Sequence, residues 1–83
     1  MLRIETAGHG TGETTVRAAG RLAGPWVAEL ARSVAAGRQA DALVLDLTDV
    51  SFADPSGIEL LRSLRRDGRI RLRCSAVVAE QLT

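Results

Sequence analysis

Apolar and polar positions along this 83-residue chain change period several times, and each change marks an element. Leu2 and Ile4 alternate with Arg3 and Glu5, the pattern of a short half-buried strand. Residues 7–13, AGHGTGE, carry Gly8, Gly10 and Gly12 and predict a hairpin connection. In TTVRAAGRL, Val16, Ala18, Gly20 and Leu22 share one face while Arg17 and Arg21 take the other, so this second strand pairs antiparallel with the first. Gly24 and Pro25 break the alternation and open a helix. Over residues 26–36, Val27, Leu30, Ala31 and Val34 recur at the helical spacing, Glu29 and Arg32 point elsewhere, and Gly37 fits a left-handed residue after the helix end.

ALVLDLTDV is nearly continuously apolar through Leu47 and reads as a central strand buried on both faces. Asp46 interrupts it, tolerable only near the strand end or with donors at hand, because an unpaired buried carboxylate is costly. SFADPSGI then reads as a tight turn into a second helix over residues 55–66, with Ile58, Leu61 and Leu64 along one side and Leu60 beside them. Asp67 and Gly68 end it. RIRLRCS alternates strictly, Ile70, Leu72 and Cys74 inward and Arg69, Arg71 and Arg73 outward. Ser75 caps a last helix in AVVAEQLT. The expected order is β-β-α-β-α-β-α, an α/β (α+β) mixed sheet of about four strands with the helices packed on one face, in a single domain spanning residues 1–83.

At the junction of the central strand and second helix stand Asp54, Pro55, Ser56 and Gly57. Proline suits the first helical position, since its φ is already helical and no donor is lost there. Aspartate just before it caps the free N–H groups that follow. Ser56 then falls second in the helix, its hydroxyl at the positive end, where a phosphate would meet unsatisfied donors.

Composition narrows the function classes. A core must come from Leu, Val, Ile and Ala, since the chain has one Trp, one Phe and no Tyr. Without aromatic platforms, stacking on sugars or single-stranded nucleic acid is not expected. Net charge is +1, all eleven basic residues are Arg, and the charges are interspersed, which gives no footprint for nucleic acid or anionic membrane. The longest apolar runs, ALVL and AVVA, are far short of a membrane span. Glu5 falls where a signal peptide needs its apolar core, so a cytoplasmic protein is the default. Lone Cys74 excludes an intramolecular disulfide.

The run LVLDLTDVSFADPSGIELL resembles the signature of STAS domains, the fold of bacterial anti-sigma factor antagonists. Asp46-Leu47-Thr48 stands for that family's Asp-Leu-Ser, Val50-Ser51-Phe52 for its Val-x-Phe step, and Asp54-Pro55-Ser56-Gly57-Ile58 for its Asp-Ser-Ser-Gly-Leu. Gly20-Arg21-Leu22 resembles the Gly-x-Leu step before the family's first helix. The resemblance implies phosphorylation of Ser56 by a partner anti-sigma factor/serine kinase, and a protein-binding role in transcription regulation by partner switching. It places the docking surface on Asp54, Pro55, Ser56 and Gly57, with Glu59 and Arg62 on the exposed start of the helix. Pro55 replaces the first serine of the pair, and the last helix is shorter than usual, which would expose apolar surface and favour a partner or a homodimer. The alternative within the resemblance is a non-phosphorylated scaffold subunit of a larger complex, such as a lipid-transport ATPase or a stress-signalling assembly.

An enzyme is not expected. The single His, His9, lies in the glycine-rich loop, away from any nucleophile–base pairing, and with no second His a metal site is not expected either. Ser56 is preceded by Asp54 and Pro55, which is no nucleophile elbow. GHGTGE lacks the Lys-Ser/Thr of a phosphate-cradling loop, so no cofactor is expected. Trp26 reads as the edge of the core, and Arg69, Arg71 and Arg73 read as a solvated row.

Overall fold

A computed structural model describes residues 1–8, 12–37 and 42–82. Its elements run β1 (Leu2–Gly8), β2 (Glu13–Leu22), α1 (Pro25–Gly37), β3 (Ala42–Ala53), α2 (Pro55–Arg65), β4 (Ile70–Cys74) and α3 (Ala76–Leu82). The four strands lie side by side in chain order, β1-β2-β3-β4. β1 pairs antiparallel with β2, and the β2/β3 and β3/β4 pairs are parallel. Each parallel pair is bridged by a helix, as a crossover connection requires. The helices pack on one face and share one core with the sheet.

Side-chain alternation settles which strand positions reach that core. Val16, Ala18 and Leu22 of β2 and Leu43, Leu45 and Leu47 of β3 are buried. They meet Leu30 and Val34 of α1, Ile58, Leu61 and Leu64 of α2, and Val78 and Leu82 of α3. Full burial of a side chain of this size contributes about 1.5–3 kcal/mol, so three such residues on α2 outweigh anything its exposed face supplies. Trp26 sits half-buried against the core edge, as its position on the first turn of α1 predicts.

The structure corrects the reading of the central strand. β3 is not buried on both faces: the helices cover one side, and Val44 and Asp46 belong to the other. Nor does the strand yield to a turn at Ser51. It continues to Ala53, pairing with Gly20, Arg21 and Leu22 through irregular register that absorbs extra residues in β3. The turn shrinks to Asp54, whose N–H donates to the Leu22 carbonyl at 3.0 Å.

Gly37 is also corrected. It is the last residue of α1 and its φ is not positive, so it is no left-handed cap. Its small size answers a packing demand: a Cβ there would stand 2.6 Å from Leu43 Cδ1. His9, with residues 10–11 and 38–41, lies outside the described part of the chain.

α3 begins as its sequence predicts, with Ser75 Oγ accepting from the Val78 N–H at 3.3 Å. The same hydroxyl donates to the Val50 carbonyl at 2.7 Å, and Gln81 exchanges hydrogen bonds with the Ala53 backbone. α3 is thereby tied to the far end of β3, the end that delivers Asp54. No described helix is long and apolar enough to cross a membrane.

Candidate functional site

Asp54 organises the junction. With φ −77° and ψ 174° it is extended, and Pro55 follows as the first residue of α2. Its Oδ1 accepts from the Gly57 N–H at 2.8 Å, the N-cap bond expected of aspartate at this place. The same oxygen accepts from the Ser56 hydroxyl at 2.8 Å. Oδ2 turns the other way and accepts from the Gly24 N–H at 2.9 Å. One carboxylate therefore caps α2 and ties it to the turn that opens α1, 30 positions earlier.

These donors hold the Asp54 carboxyl below its ordinary pKa, the Gly24 amide contributing most, then Gly57, then the Ser56 hydroxyl. Asp46 is likewise lowered, chiefly by the Thr48 hydroxyl and then the Thr48 N–H, which meet its Oδ1 at 2.7 and 3.0 Å. Burial opposes the shift, and Arg17 and Arg73 add to it. A carboxyl with a depressed folded-state pKa binds its proton more readily when unfolded. Its stabilisation is present above the unfolded value and is lost as pH falls through the folded one. Melting temperature should therefore decline from near pH 4 downward. In Asp54→Asn, which keeps an N-capping oxygen but no charge, thermal melts across this range should show a shallower decline. An undiminished acid slope would show that Asp54 has no part in it.

The structure places the predicted site residues on one stretch of α2 and its cap, all but Gly57 at the surface. Pro55, Ser56 and Glu59 are exposed on the opening turns of α2, Arg62 is exposed further along, in its last turn rather than at its start, and Gly57 is buried beneath the first turn. Gly57 fills a close approach: a Cβ would stand 2.9 Å from the Leu22 carbonyl oxygen. Arg62 and Arg65 in the last turn of α2 suit the negative end of the helix.

Beside this turn lies a shallow groove of about 400 Å³, lined by Phe52, Pro55, Ile58, Glu59, Arg62 and Gln81 among others. Phe52 and Gln81 are additions that the sequence reading did not place in the site. Phe52 is 37% exposed, and Arg21 stacks over its ring at 5.1 Å from the centroid. An aromatic at the end of a strand that outruns its turn was the signal available for Phe52. Gln81 gives no sequence signal, because its place depends on how α3 returns to Ala53. Arg71 and Arg73 lie away from this site, exposed along β4, with Arg69 exposed in the turn just before it. Among the described residues no three potential metal ligands gather.

No protein-family model matches the chain, and no curated protein is significantly similar to it.

Proposed function

We propose that this chain is a protein-binding regulatory module of the anti-sigma factor antagonist type, docking through the start of α2 and controlled by phosphorylation at Ser56. One observation carries the reading. Ser56 presents an exposed hydroxyl at the second position of α2, beside the groove formed by Phe52, Ile58 and Arg62. The local sequence around it resembles the STAS phosphorylation site.

The geometry supports a switch of this kind. The Ser56 hydroxyl donates to Asp54 Oδ1, and a phosphorylated oxygen has no proton to donate. Phosphate adds about −1.5 to −2 charges beside a carboxylate already in place. It must turn toward the helix amides and compete with Asp54 for them, while its charge alters the surface a partner would meet. Unmodified protein binds and modified protein releases.

Intact-mass measurement with fragment mapping, on protein isolated from its own cells under phosphatase inhibition, tests this directly. The expected result is a single phosphate on Ser56. Protein unmodified through growth and stress would overturn the switch. The Ser56–Asp54 hydrogen bond supports a second reading, in which Ser56 merely firms a constitutive docking surface of a scaffold subunit.

A further inference from the structure

The face of the sheet opposite the helices carries charge in an ordered row. Leu45 and Leu47 point into the core, so Asp46 between them points outward. Glu5 pairs with Arg17, Arg17 with Asp46, and Asp46 with Arg73. One rung thus crosses the sheet from β1 to β4 as acid, base, acid, base. Glu5, Arg17 and Arg73 are exposed, while the Asp46 side chain retains 11% exposure between its neighbours. Asp46 Oδ1 is taken by Thr48, whereas Oδ2 meets Arg17 Nε at 3.6 Å, too long for a good hydrogen bond. The adjacent rung, Ala7, Thr15, Val44 and Arg71, carries a single charge, at Arg71 on the β4 edge.

We propose that this open face is self-complementary and binds the same face of a second copy. The two-fold axis runs parallel to the strands, between β2 and β3. Such a rotation reverses the rung, so Glu5 of each copy meets Arg73 of the other and Arg17 meets Asp46. Each acid of this rung then faces a base, with Glu5 shared between the partner's Arg73 and the Arg3 that lies 3.1 Å away on its own strand. On the adjacent rung Val44 meets Thr15 and Arg71 meets Ala7, with no like charges opposed. An axis along the rung would instead set each charge against itself, which electrostatics forbids. The rung spans three strand spacings, about 14 Å, so the contact is smaller than that of a permanent dimer. Association is therefore weak, concentration-dependent and salt-sensitive. Ser56 takes no part in it, so this proposal and the switch stand or fall separately.

Sedimentation equilibrium of the whole chain tests the pairing, using charge reversal at the two exposed ends of the rung. Wild type should dimerise at low salt and lose the dimer near 1 M salt, where screening acts within about 3 Å. Glu5→Arg opposes two bases at both ends of the interface, and Arg73→Glu opposes two acids. Each alone should associate at least ~10-fold more weakly than wild type. Mixed in equal amounts they regain a fully complementary rung, and a mixed dimer should form at least as tightly as wild type. Wild type that stays monomeric at low salt and high concentration, or variants that dimerise unchanged alone, would overturn the proposal. So would a mixture that associates no better than its components.

Discussion

Leu61→Ala is expected to lower the stability of the fold by about 2–5 kcal/mol, the range for removing a fully buried leucine and leaving part of its volume empty. Leu61 is 0% exposed on the middle of α2, between Ile58 and Leu64 in the stripe that holds the helix to the sheet. A domain of this length has a total stability of roughly 4–12 kcal/mol, so the loss takes a large fraction of it. At about 4–8 °C for each kcal/mol, the melting temperature should fall by about 8–40 °C. The site residues are untouched, yet their surface should disappear with α2 in the thermally unfolded fraction. A melting temperature within a few degrees of wild type would mean that α2 is not held by this stripe.

Gly57→Ala should be the second most damaging change, and its sign runs against helix propensity. Glycine inside a helix usually costs about 0.5–1 kcal/mol relative to alanine, so the substitution would ordinarily stabilise. Here the new Cβ would lie 2.9 Å from the Leu22 carbonyl oxygen and 3.0 Å from its Cγ. The carbonyl has little freedom to withdraw, since it accepts the Asp54 N–H at 3.0 Å at the end of a paired strand. Forcing a methyl into such a contact costs about 1–3 kcal/mol, which exceeds the gain in propensity. Denaturant melts should show net destabilisation, and amide spectra should shift at Leu22, Asp54 and the first turn of α2. An equal or higher midpoint would show that this approach can relax.

Much of the fold is legible in the sequence because its signals are local. The alternation in RIRLRCS, the spacing of Val27, Leu30 and Val34, and the Asp-Pro pair before α2 each specify an element from within a few residues. The same locality makes Asp54 readable as an N-cap. What eludes sequence reasoning depends on neighbours brought from afar. The Asp54 bond to Gly24 requires knowing that the α1 and α2 turns meet. Asp46 looks like an intrusion in a strand buried on both sides, whereas it faces an uncovered surface and has Thr48 and Arg17 beside it. The extension of β3 to Ala53 depends on its pairing with β2, and Gly37 mimics a cap while serving the packing of Leu43.

The order of the strands also has a consequence for how the chain assembles. Because spatial order follows chain order, every strand joins an edge whose residues have already been synthesised. The β1/β2 hairpin comes first and needs only a short loop. β3 and then β4 arrive with helices that cover their own seams. At the ribosome, where residues emerge at about 5–20 per second, no early segment must wait for a distant later one to find a partner. Two edges wait in turn: that of β2 while α1 is made, and that of β3 until β4 emerges and pairs with Leu43–Leu47. The hazard of misassembly is thereby confined to two brief intervals of synthesis, one while α1 is made and one while α2 and the turn that follows it are made.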